Sequence, residues 1–148
     1  MSNVSKKLNA NDQLEEQIRL SYVHILQTYL QIHKTYKHFR EEIMDERLKK
    51  NFHLIDHNLY NKTGKLNWDN IRQLMPPNLE RLIGKKYSML NENEIKLCCL
   101  HLFNVSGEDI TSILSYTKKS VHTITYLIKK KTGIHNIRGD LKILLLCD

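Results

Sequence analysis

The sequence predicts an all-α protein, and three patterns carry that prediction. Apolar residues recur at alternating spacings of four and three from Ile18 to Ile43, the period of a helix face. No Gly or Pro interrupts the chain between Met1 and Asn61. Near the C-terminus, Asn91, Ser106 and Thr117 each stand where a helix needs a polar cap, just ahead of an apolar run. The expected architecture is a long N-terminal helix, a possible coiled coil, followed by a C-terminal four-helix domain. Residues 1–62 form the long helical segment, 63–87 a helical connector, and 88–148 the C-terminal domain.

Met1 to about Asn11 is polar and expected to fray. Asn11 or Asp12 can then cap the long helix, with Glu15 and Glu16 in its first turn. Its heptad seam is Ile18, Tyr22, Ile25, Tyr29, Ile32, Tyr36, Phe39 and Ile43. At 1.5 Å per residue the seam runs roughly 40 Å. Two arrangements suit it: self-association as a dimer, or packing against the rest of the same chain. Leu26 and Leu30 widen the stripe, which suits globular packing. Charges of both signs from Arg40 to Lys50 read as a solvated face.

Phe52, Leu54, Ile55, Leu59 and Tyr60 continue the apolar pattern in the same helix, bent, or in a second one. His53 and His57 have helical metal spacing, but no third ligand stands at a fixed distance, so no metal site is predicted. Gly64 stops the helix in the linker Asn61–Lys65. A short helix follows around Trp68, Ile71 and Leu74, with Trp68 as a core anchor. Met75-Pro76-Pro77 breaks the chain before a helix with Leu79, Leu82 and Ile83 inward.

Asn91 and Glu94 have capping-box spacing for a helix from Glu92 to about Phe103, with Ile95, Cys98, Cys99 and Leu102 inward. Ser106 with Asp109 opens a short helix to about Ser115, with Ile110, Ile113 and Leu114 inward. Tyr116-Thr117 makes a turn. Thr117 then caps a helix from Lys118 to about Lys131, with Val121, Ile124 and Ile128 inward and Gly133 as its stop. Asp140 can cap a last helix, Leu141 to Cys147. Two short helices joined by a tight polar turn form the outline of a helix-turn-helix.

The net charge of +7 and pI near 9.3 favour polyanionic partners. The excess is concentrated: five lysines and no acid lie between Ser115 and Lys131. A helix at about 118–131 that buries Val121, Ile124 and Ile128 leaves Lys118, Lys119, Ser120, His122, Thr123, Tyr126, Lys129 and Lys130 on its other faces. It could enter a major groove N-terminus first, with short polar side chains at base edges and lysines on phosphates. Cys98 and Cys99 lie in an apolar run and read as buried hydrophobes; the odd cysteine count excludes a disulfide framework. No apolar run is long enough to span a membrane. A reducing, cytoplasmic setting fits, no cofactor is implied, and no nucleophile–base pair or phosphate loop points to an enzyme.

Residues 88–138 resemble the LuxR-type (GerE-like) helix-turn-helix of bacterial regulators. The resemblance is carried by Leu90-Asn91-x-x-Glu94, Val105-Ser106-x-x-Asp109-Ile110, Leu114-x-x-Thr117-x-Lys119-Ser120-Val121 and Lys130-Lys131-Thr132-Gly133-Ile134. Leu97-Cys98-Cys99-Leu100, with an upstream Trp-containing segment and long helix, is similar to a subgroup found in Bacteroidetes. The resemblance implies DNA contacts from Thr117, Lys119, Ser120, His122, Thr123 and Tyr126, with Lys129 and Lys130 on phosphate. The chain departs from the family at Glu108 and Thr111, and from the subgroup's arginines at Thr125 and Leu127, where Leu127 could turn inward. The expected function is a DNA-binding transcriptional regulator acting on double-stranded DNA as a homodimer. The alternative is a helical protein-interaction module with a degenerate helix-turn-helix.

Overall fold

A computed structural model describes residues 3–147, with side chains from residue 10 onward. Among the described residues the chain is helical with no strand; Tyr60 and Leu66 form a lone antiparallel bridge. The long N-terminal helix, α1, spans Asn3–Glu42. It begins well before the expected caps, so Asn11, Asp12, Glu15 and Glu16 lie within it. Asp12 instead meets Lys142 at 2.7 Å, and Glu16 pairs with Arg19. Residues 1 and 2 lie outside the described residues.

One face of α1 is buried, and it is not the predicted seam. Val23, Leu26 and Leu30 enter the core, displaced roughly a quarter-turn from the seam positions. The seam itself divides. Tyr22 packs on Phe103 with ring centroids 5.6 Å apart, and Tyr29 lies half-buried against the core. Tyr36 meets Phe52 edge-on, and Ile18 is half-buried. Ile25, Ile32 and Phe39 remain 41%, 62% and 51% exposed. Ile43 falls in the connection after α1. Aromatic rings flank the contact and cover the core edge; the Tyr36 hydroxyl is taken up by Asp56, and the Tyr29 hydroxyl is itself buried.

Helix α2, Glu46–Leu59, is a separate helix that folds back along the end of α1. Asp45 caps it by accepting from the Arg47 amide at 2.8 Å. Asp56 ties the pair together: it accepts from the Tyr36 hydroxyl and meets the Arg40 guanidinium, each at 2.7 Å. Burial and the neighbouring Asp56 carboxylate push the Tyr36 hydroxyl up to about 12. Gly64 does not end α2, whose cap is Tyr60; it takes φ +80° within the turn that the Asn61 side chain holds.

Helix α3, Trp68–Gln73, and α4, Leu79–Lys86, flank the proline break. Trp68 is half-buried and packs against the edge of the core. Its indole donates to Glu80 at 3.2 Å, and the Lys96 ammonium lies 5.4 Å from its ring. Helix α5, Glu92–Leu102, is the centre of the molecule. Leu97, Cys98, Cys99, Leu100 and Leu102 are all fully buried, and Phe103 follows them. Burial extends beyond the single inward side expected, because α4, α6 (Gly107–Leu114), α7 (Lys118–Thr132) and α8 (Ile137–Leu141) all pack on it. The Asn91–Glu94 capping box is complete at its start.

At the other end of α5, buried Arg19 from α1 donates to the Leu102 carbonyl at 3.2 Å and to Asn104 Oδ1 at 2.9 Å. This contact satisfies a carbonyl that a helix C-terminus leaves without an internal partner. The chain closes with α8 and a 3-10 helix, Lys142–Leu146, that packs on α1. The expected helix from Leu141 to Cys147 is therefore split. Asn136, not Asp140, caps α8; Asp140 accepts from the His135 and Asn136 amides.

Candidate nucleic-acid interface

Helices α6 and α7 begin where their caps dictate. Ser106 accepts from the Asp109 amide and Thr117 from the Ser120 amide, each at 3.1 Å. Ser115 at φ +52° turns the chain between the helices. Ile110 and Ile113 of α6, with Val121 and Ile128 of α7, are buried, and Ile124 is half-buried. This packing fixes which way α7 faces.

The outward face of α7 carries Lys118, Lys119, His122, Thr123, Tyr126, Lys129 and Lys130, all exposed. At 100° per residue they fall within about 140° of arc, so all four lysines share one side. None of the four makes an ion pair among the described residues. Ser120 is half-buried and engaged with Thr117, whose hydroxyl donates to it at 2.9 Å. It is therefore placed as part of the cap rather than on the open face. Thr123 donates to the Lys119 carbonyl at 3.1 Å, which leaves its hydroxyl oxygen free to accept.

Two carboxylates bear on whether this face stays positive. Buried Glu94 accepts from Lys131 at 2.9 and 3.0 Å while completing its capping box. It neutralises Lys131 and leaves the other lysines alone. Asp109 pairs with Lys34 of α1 at 3.0 Å. Glu108 is exposed on α6 and forms no ion pair among the described residues. Lys118 and Lys119 sit in the first turn of α7, where the helix dipole disfavours cations. No acid in that turn offsets them. An anion placed there would.

Thr125 has an inward role. Its hydroxyl donates to the Val121 carbonyl at 2.7 Å and meets His101 Nε2 at 3.0 Å. The hydroxyl proton serves Val121 when His101 is protonated on Nε2, and His101 when it is not. Burial, then Arg138, Lys129 and His122, depress His101 to about 4. An arginine at position 125 would displace this contact. Leu127 is 41% exposed, contrary to the inward placement its sequence position allowed.

One cation near this face was not among the residues expected from sequence. Arg138 donates to the His101 carbonyl at 3.1 Å and lines a cleft of about 390 Å3 with His101, Lys129 and His135. Its distance in sequence from α7 hid it; the Gly133 stop, which returns the chain beside α7, was the available hint. Among the described residues no three His, Cys, Asp or Glu side chains converge to hold a metal. No helix among the described residues is long and apolar enough to cross a membrane. Comparison with protein-family models, curated proteins and solved structures finds no match to this chain.

Proposed function

We propose that this chain is a DNA-binding transcriptional regulator that presents α7 to the major groove. The observation that carries the reading is the open face of α7: four lysines on one side, none paired with an acid among the described residues, two of them at the helix end where a cation is least at home. Thr123, His122 and Tyr126 lie between those lysines as base-reading candidates, with Thr117 at the edge. The likeness of residues 88–138 to the LuxR-type pattern supports the same reading. Arg138 adds a cation beside Lys129.

Dimerisation is part of this proposal, since two half-sites strengthen a weak module. Its support is the part of the α1 seam not used by the chain itself. Ile25, Ile32 and Phe39 form an exposed apolar stripe, and Ile18, Tyr22 and Ile25 border a groove with Pro76, Leu79 and Leu144.

A second reading, a protein-interaction module, draws on exposed Tyr126 and Leu127, which put apolar surface beside the lysines. Titration on mixed-sequence duplex DNA at two salt concentrations separates the readings. DNA binding predicts a steep salt slope that Lys119→Ala/Lys129→Ala makes shallower by about two. Absence of binding at low salt refutes the first reading. Sedimentation of the Ile25→Asp/Ile32→Asp variant tests the dimer: dissociation is expected, and a monomeric wild type overturns it.

A further inference from the structure

Away from α7, a second group of cations lines a cleft of about 820 Å3 between α1, α2 and the Asn61–Lys65 turn. Lys37 and Arg40 come from α1, and Lys62 and Lys65 from the turn. Among the described residues the only acid on its lining is Asp56, and both of its oxygens are engaged, Oδ1 by the Tyr36 hydroxyl and Oδ2 by Arg40. His53 and His57 add ring nitrogens along the α2 wall. With Arg40 paired to Asp56, the lining keeps three cations, Lys37, Lys62 and Lys65, with no acid partner among the described residues. Their mutual repulsion has no counterweight among the described residues, and an anion would relieve it.

We propose that this cleft is a binding site for a small phosphorylated ligand carrying several negative charges, such as a nucleotide or another polyphosphate. The chemistry is that of phosphate recognition: Arg40, oriented by Asp56, offers its remaining N–H groups, and the lysines act as mobile point charges around it. The volume lies within the range of roughly 300–1,000 Å3 typical of small-molecule sites. Concavity distinguishes this cleft from the open face of α7, which suits an extended backbone. Ser112 of α6 also lines the cleft, and Lys34 next to it pairs with Asp109 of α6 at 3.0 Å. A ligand seated here touches α1, α2, the turn and the helix preceding α7 together. That places an input site against the module proposed to bind DNA, but ligand binding stands whether or not that module binds DNA.

Calorimetric titration of the full chain with inorganic pyrophosphate and with a nucleoside triphosphate, at low salt, tests the site. Binding tighter than about 1 mM is expected for at least one probe. Lys37→Ala/Lys65→Ala is expected to weaken it at least tenfold, and Lys62→Glu, at an exposed turn position, to act in the same direction. Lys119→Ala/Lys129→Ala should leave it unchanged, and circular dichroism should show every variant folded. No binding of either probe overturns the proposal. So does equal binding by Lys37→Ala/Lys65→Ala, or loss of binding only in the α7 variant. A duplex DNA arm separates the sources of phosphate. If duplex binding depends on Lys37 and Lys65 as strongly as on the α7 lysines, the cleft is part of a nucleic-acid track and the small-ligand assignment falls.

Discussion

Helices α5 and α7 touch each other, yet they use charge in opposite ways. The charges around α5 are consumed by the fold. Glu94 closes a capping box and holds Lys131, while Arg19 takes up the carbonyl at the far end. Every apolar side chain from Leu97 to Leu102 is fully buried. On α7 only one side is committed to packing, and Lys118, Lys119, Lys129 and Lys130 meet no acid among the described residues. A charge that the fold satisfies contributes stability. One that it leaves open is available to a partner.

Substitution can break or sharpen this contrast. Phe103→Ala, at the end of α5, should cost about 3–5 kcal/mol in urea unfolding, because its fully buried ring leaves a cavity in the central core. Arg19→Leu should cost about 1–3 kcal/mol by the same assay, since the Leu102 carbonyl and Asn104 amide lose a buried donor. The sharpest contrast lies between adjacent lysines. Lys131→Ala should cost about 1–2 kcal/mol, leaving buried Glu94 with only its cap. Lys130→Ala should stay within about 0.5 kcal/mol yet weaken any DNA binding.

The His101–Thr125 contact joins the two helices and titrates. His101 falls from 6.5 to about 4 in the folded chain, so between those values the unfolded chain binds the proton and the native chain does not. Stability therefore rises with pH across that window and is lost as pH falls through it. His33, lowered chiefly by burial, contributes in the same sense. His101→Gln should flatten part of the slope in thermal melts between pH 4 and 6.5. An unchanged slope would detach the dependence from this contact.

Much of the helical outline was legible before any coordinates. Asn91, Ser106, Thr117 and Gly133 lie where the sequence placed the ends of α5, α6 and α7. Caps act over three or four residues, so local chemistry suffices. The reading failed where a residue's partner is remote. Asp140 has the right identity for a cap, but Asn136 takes that role. Trp68 does pack on the core, but remote Glu80 and Lys96 keep it half-buried at the edge. Thr125 looks like a missing arginine until His101 is set beside it. For the candidate site, the lysine face was legible from period and composition, whereas Ser120 and Arg138 were misplaced or missed.

By itself, the sequence determined the helical class, the starts of α5 to α7, and the cationic character of α7. These depend on backbone propensities, caps and 3.6-residue periodicity, all written in neighbouring residues. Only the tertiary structure decided that α1 buries Val23, Leu26 and Leu30 rather than its heptad seam. It also decided that Lys131, not Lys130, belongs to Glu94, and that cations from α1 and the Asn61–Lys65 turn share one cleft. Those outcomes depend on which faces meet across long stretches of chain, where periodicity allows several solutions and packing selects one.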